Sequence, residues 1–195
     1  MVHYSFLDII RIGFSLLYTK IFFPQARLLR VPIYRSGTKF QYGEGLTMGR
    51  GCRIDTNPKF KSLKIGKNAR IGDYVHINAD LNIEIGDNVL MASKIFISDA
   101  NHGNYNGEHQ SFPYENPSQR ELFCNPVKIG DNVWIGENVV ILPGTVIGNG
   151  CIVGANSVLS KSVYPDNCII AGTPGKVLKR FNPSTQKWER EVLSI

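Results

Sequence analysis

His102 closes the segment ISDANH, and a polar stretch without pattern, residues 103–126, follows it. Neutral imidazole is a suitable proton acceptor near pH 7, and a second partner fixes which ring nitrogen carries the proton. Asp99 and Glu121 are candidate partners, and a backbone carbonyl would also serve. Cys124 lies in the same stretch and offers a competing chemistry, group transfer through a covalent thioester. His76 and His109, taken with His102, admit a three-histidine zinc site. Toward the other end, Ser160-Lys161 and the cluster Lys176, Lys179, Arg180 are donors suited to phosphate. A lone loop histidine or a lone lysine is ordinarily a solvated side chain, so the surrounding elements decide what these residues do.

Positioning falls to a repeat. From Ile129 the chain divides into IGDNVW, IGENVV, ILPGTV, IGNGCI, VGANSV and LSKSVY, each opening on an aliphatic residue and four with glycine second. The register runs upstream through IGKNAR, IGDYVH and INADLN from Ile65, slips by two residues, and resumes at Ile85 with IGDNVL, MASKIF and ISDANH. MGRGCR and IDTNPK, from Met48, form a looser first coil. The fifth position is usually small or apolar: Ala69, Val75, Val89, Ile95, Val133, Val139, Thr145, Cys151. A period of six keeps no constant face on a helix. Short strands joined by turns satisfy it: positions one and five point inward, three sides close a coil of about 18 residues, and stacked coils pair in parallel. Gly and Asn after each strand supply positive-φ turns. Cys151 and Cys168 fall at inward small positions as inert thiols.

The chain has 195 residues, 43% hydrophobic and 19% charged, which suits one packed domain and excludes a disordered tail. Four cysteines without CxxC spacing point to a reduced, cytoplasmic setting. The net charge of +6 resides in residues 1–53, where eight Lys/Arg face only Asp8 and Glu44. No basic residues interleave with aromatics in the larger part, so nucleic acid is not an expected partner. Residues 4–23, YSFLDIIRIGFSLLYTKIFF, form an apolar run interrupted by Asp8, Arg11 and Lys20 and ended by Pro24. No small-residue cleavage site accompanies it. A charge near a bilayer centre costs about 2.5–3.5 kcal/mol. The expectation is a helix lying on a surface, either the inner membrane or the protein's own core. Three parts follow: an apolar and basic helical segment over 1–39, the coil domain over 40–180 with its loop 103–126, and a tail over 181–195.

The pattern resembles the hexapeptide-repeat acyltransferases, and the resemblance covers residues 40–180. IGDNVLMASKIFISDANHG resembles the segment of sugar and xenobiotic O-acetyltransferases that ends in the catalytic histidine. NPVKIGDNVWIGENVVILPGTVIGNGCIVGANSVLSKSV and IIAGTPGKVLKR resemble their coenzyme A half. The resemblance implies an all-β fold, a left-handed parallel β-helix. It implies His102 as catalytic base assisted by Glu121, with Asn78, Asp99 and Asn101 on the acceptor side. It places acetyl-CoA, the donor, against Trp134, Gly136, Ala155, Ser160, Lys161, Gly172, Lys176 and Lys179. It implies direct transfer of acetyl to a sugar hydroxyl of a surface-polysaccharide or O-antigen precursor, with no metal and no acetyl-cysteine. It implies a homotrimer with the coenzyme slot between subunits. The chain departs from the pattern after the histidine: many relatives have His-Pro, whereas here Gly103, Asn104 and Tyr105 follow. Acceptor specificity therefore does not carry over. The alternatives are a non-catalytic β-helix scaffold and a zinc protein like the γ-class carbonic anhydrases, which share the helix and use three histidines.

Overall fold

The computed structural model describes residues 5–190. The hexads form a three-sided parallel solenoid with one helix at its start. Each coil lays one strand on each of three faces. The first face begins at Leu28–Leu29, the second at Ile33–Ser36 and the third at Gln41–Tyr42. The second and third faces each hold six parallel strands, which makes six complete coils. Register is strict: on the first face Arg70, Leu90, Trp134 and Ile152 are successive partners.

The interior is the hexad code read out. Every first-position residue from Ile65 to Leu159 and every fifth-position residue named above is buried. Cys151 and Cys168 are buried among them. The middle positions serve the corners. Asn68, Asn88 and Asn132 take φ of 55°, 56° and 56°, the left-handed region that asparagine tolerates. Where an acidic residue precedes the asparagine, as at Asp87 and Asp131, it reaches the coil before it. Asp87 Oδ1 accepts from the Lys67 N–H at 2.7 Å, and Asp131 Oδ1 accepts from the Asp87 N–H at 2.7 Å. The recurring Gly-Asp-Asn is thus a corner that binds its neighbours.

The solenoid begins earlier than the repeat suggested, at Leu28 rather than residue 40. Residues 28–42 lack the Ile-Gly signature yet complete a coil, because the parallel pairs Leu28 with Thr47 and Ile33 with Cys52 need only extended backbone. The other boundary moves as well. Lys176–Asn182 turns back antiparallel on Cys168–Ala171, and Lys187–Arg190 pairs with it, so an antiparallel extension replaces a tail up to residue 190.

Helix α1, Phe6–Phe22, starts in a capping box between Ser5 and Asp8. Its packing inverts the usual rule. Only Ser15 and Thr19 are buried, while Phe6, Leu7, Ile9, Phe14, Leu17 and Ile21 are each at least 59% exposed. The cause lies in the first coil, which has an open strand edge. Thr19 Oγ1 accepts from the Leu29 N–H at 2.8 Å, and Ser15 Oγ accepts from the Val31 N–H at 3.1 Å. The hydroxyls satisfy the edge, and the apolar side chains are left outward. Phe23, Phe40 and Tyr42 then plug the end of the prism, with ring centroids 5.6–5.9 Å apart. No helix among the described residues is long and apolar enough to cross a membrane.

Candidate active site

The excursion leaves the solenoid where the second face turns to the third. After Phe96–Ser98 the chain peels off as Ala100–His102, pairs antiparallel with Leu122–Cys124, and rejoins the third face at Val127–Ile129. The coil before is widened at the same corner, where residues 80–82 join His76–Ala79 to Ile83–Ile85. That widening is the two-residue slip in the repeat.

Asp99 holds this corner together. Its carboxylate accepts from the N–H groups of Asp80 at 2.8 Å, Leu81 at 2.9 Å and Asn82 at 2.6 Å. Its carbonyl accepts from the Asn125 N–H at 2.8 Å, which ties down the loop's return. Burial pushes its carboxyl upward, against the three backbone donors. Asp99 is fully buried, with its carboxylate engaged by these three backbone donors.

His102 is exposed, and its ring makes no hydrogen bond among the described residues. Its backbone is held closely. The Tyr105 hydroxyl donates to the His102 carbonyl. The same hydroxyl oxygen accepts from Arg120 Nη1 at 2.8 Å. Arg120 Nη2 donates to the carbonyls of Phe112 and Glu115, each at 3.1 Å, and so gathers the loop. Gly103 carries φ +104°, and a Cβ there would lie 2.8 Å from the Tyr105 hydroxyl. Proline, fixed near −65°, cannot take that turn. The departure from His-Pro is therefore part of this clamp. Sequence reasoning missed Tyr105 and Arg120, which lie 15 residues apart in a stretch with no period.

No hydrogen bond links the Glu121 and His102 side chains among the described residues. The hairpin register opposes His102 to Leu122, and successive side chains leave a strand on opposite faces. The Glu121 carbonyl accepts from the Gly103 N–H at 2.9 Å, while its side chain lines a 610 Å³ pocket within the loop. Asn101 is exposed beside His102. Asn78, on the outside of the second face, donates to Asp80 Oδ2 at 2.9 Å. One partner further along that face is a cluster the sequence did not reveal. Asp55 accepts from Ser36 Oγ at 2.6 Å and Arg53 Nε at 2.6 Å, and pairs with His76 Nε2 at 3.0 Å. Burial would raise the Asp55 carboxyl, and Ser36, His76 and Arg53 together hold it low. His76 is thus committed to Asp55, His109 sits in the loop, and no group that could hold a metal is found among the described residues.

The expected donor residues separate onto two edges of the prism. Gly136, Ala155 and Gly172 form the corner between first and second faces, stacked coil on coil; a Cβ on Gly136 would meet the Ala155 backbone N at 2.7 Å. Trp134, 51% exposed, stands on the first face, and Lys179 continues its row through Ile152 and Ile169. Lys176 opens the same added strand. Ser160 and Lys161 lie on the other edge, the corner between second and third faces that also carries His102. Lys161, Lys176 and Lys179 make no ion pair among the described residues. Unpaired cations beside stacked turn backbones suit the phosphates and amides of coenzyme A.

The family profile "Bacterial transferase hexapeptide (six repeats)" matches residues 126–161. The chain is 41% identical to the "Putative lipopolysaccharide biosynthesis O-acetyl transferase WbbJ" of Escherichia coli K12, over 96% of this chain and 95% of that one. It is 35% identical to the galactoside O-acetyltransferase of the same organism, over 70% of this chain and 64% of that one. A solved hexapeptide-repeat acetyltransferase of Vibrio cholerae, VCA0836, complexed with acetyl coenzyme A, is 29% identical with a TM-score of 0.50, covering 76% of this chain and 71% of that one. With a coil corner that carries an unbonded histidine, a second corner of stacked turns, and a relative matched over nearly its whole length, the chain belongs to the hexapeptide-repeat O-acetyltransferases.

Proposed function

We propose that this protein moves the acetyl group of acetyl-CoA to a sugar hydroxyl of a lipopolysaccharide or other surface-polysaccharide precursor, with His102 as general base. The observation that carries the reading is the His102 ring, held out at the solenoid corner by a backbone clamp and left without a protein partner. His102 removes the hydroxyl proton, and the sugar oxygen attacks the thioester carbonyl carbon. A backbone N–H steadies the oxyanion. The carbon–sulfur bond breaks, and the thiolate takes the proton back from the imidazolium. Asn78 and Asn101 flank this corner on the acceptor side. Cys124 is half-buried, and burial pushes its thiol upward, which disfavours an acetyl-cysteine.

The donor residues span two edges of one protomer, and a homotrimer would set one protomer's glycine corner beside its neighbour's histidine corner. The outward apolar side of α1 and the basic residues around it support a peripheral contact with the inner membrane, on the cytoplasmic side where acetyl-CoA is made. An acceptor screen tests the function. Thiol release from acetyl-CoA is followed with methyl glycosides, nucleotide sugars and lipid-linked glycans. A sugar-dependent rise identifies the acceptor class. Failure of acetyl-CoA to raise the melting temperature, together with no release for any acceptor, favours the scaffold reading.

A further inference from the structure

Three arginines meet beneath α1. Arg11 from the helix, Arg30 from the end of the first coil's opening strand and Arg50 from the next coil's corner line a pocket of 260 Å³ with Asp8, Ile12 and Ser15. Asp8 is the one acid in this lining, and it is already engaged: its carboxylate accepts from the Ser5 hydroxyl at 2.8 Å and lies 3.8 Å from Arg11. Arg30 and Arg50 are half-buried, and neither guanidinium makes a hydrogen bond or ion pair among the described residues, although the Asp8 charge also acts on Arg50. Two other N-terminal arginines differ. Arg53 pairs with Asp55, and Arg35 lies 4.9 Å over the Phe23 ring.

Half-burying the charges of one pocket lined by three arginines and a single acid is unfavourable unless a further anion completes the site. The guanidinium fork matches phosphate oxygens two at a time. The pocket's wall is the Asp8–Arg11–Ile12–Ser15 stripe of α1, while the helix sends Phe14, Leu17 and Ile21 outward. A helix seated through such residues sinks about 5–10 Å into the boundary between headgroups and acyl chains. The arginines then stand at the depth of lipid phosphates. The pocket belongs to the first two coils and His102 to the fourth. At about 4.8 Å per coil the two are about 10–14 Å apart along the axis.

We propose that this pocket binds the phosphate or diphosphate of a membrane lipid, the group that would tether a lipid-linked glycan while its sugars run along the solenoid toward His102. The site rests on the membrane contact given above as this protein's reading, and the experiment separates the two. Full-length protein is titrated with phosphatidylcholine vesicles carrying a long-chain isoprenyl phosphate, and with vesicles of equal surface charge carrying phosphatidylglycerol. The wild type is expected to bind the isoprenyl phosphate vesicles about tenfold more tightly, the scale of one or two charge-assisted contacts. Arg30→Gln with Arg50→Gln is expected to abolish that preference while keeping the wild-type melting temperature. Lys39→Gln with Lys59→Gln removes the same charge outside the pocket and is expected to keep it. No preference in the wild type, or a preference that survives the double arginine variant, overturns the site. Inorganic pyrophosphate binding as tightly in free solution overturns the lipid assignment. Phe14→Asp, Leu17→Asp and Ile21→Asp together should abolish binding to every vesicle. If that variant binds like the wild type, the membrane contact itself is wrong.

Discussion

The Tyr105 hydroxyl links a loop arginine to the carbonyl of the proposed base, and removing one oxygen atom tests what that link does. Tyr105→Phe should lower kcat about tenfold, because small misplacements of a catalytic group are costly, while KM for acetyl-CoA stays within about twofold. Steady-state kinetics beside a melting curve checks this; a loss of kcat that merely follows a loss of folded protein would deny the positioning role. Buried thiols give a second test at this scale. Burial pushes Cys52 up to about 11, and it raises Cys124 and Cys151 as well. At pH 8 these thiols are therefore protonated, and Cys52, Cys151 and Cys168 are also covered. Alkylation of the native protein should be confined to half-buried Cys124, and mass spectrometry should find the other three modified only after unfolding. The hexads made these buried positions readable, because an inward residue is set by its place in the period. Arg120 and Tyr105 were not readable, since a clamp inside an aperiodic loop leaves no spacing to find. Asp99 was readable as a residue near the site, but its three backbone donors from a coil away were not, since no spacing marks them.

Among the elements, α1 departs furthest from what its sequence suggests. Its apolar residues argue for burial, yet the open edge of the first coil needs hydrogen-bond acceptors, and Ser15 and Thr19 supply them. Thr19→Val keeps shape and removes the acceptor from the buried Leu29 N–H. It should destabilise the helix docking by about 1–3 kcal/mol. Hydrogen exchange should quicken in α1 and Leu28–Leu29 and stay slow in the central coils; uniform protection would mean the hydroxyls do not hold the helix. At the far end, the added strand Lys176–Asn182 carries two lysines without ion-pair partners among the described residues. Lys176→Ala with Lys179→Ala should raise KM for acetyl-CoA and flatten its salt dependence, and a coenzyme analogue without the 3′-phosphate should show a smaller change. Equal changes for both donors would place the phosphates elsewhere.

At the scale of the whole molecule, the glycine corner with Lys176 and Lys179 lies on a different edge of a three-sided prism from His102, Ser160 and Lys161, so in the proposed homotrimer the assembly would decide whether a site is complete. A closed ring of three makes each edge meet a different edge of its neighbour. Mixing subunits tests this directly. His102→Ala chains and Lys176→Ala/Lys179→Ala chains, each weak alone at low acetyl-CoA, should regain activity when refolded together, because some interfaces then hold both intact edges. Absence of any gain would confine the site to one protomer. The central claim, acetyl transfer with His102 as base, has its most direct test in the initial rate of acetyl-ester formation. Wild type and His102→Ala are compared by mass spectrometry of the acceptor, with melting temperature and acetyl-CoA affinity measured alongside. The account predicts a fall in kcat of about 10²–10⁴-fold with fold and donor affinity unchanged. A purified His102→Ala protein that forms the ester within about twofold of the wild-type rate would contradict it.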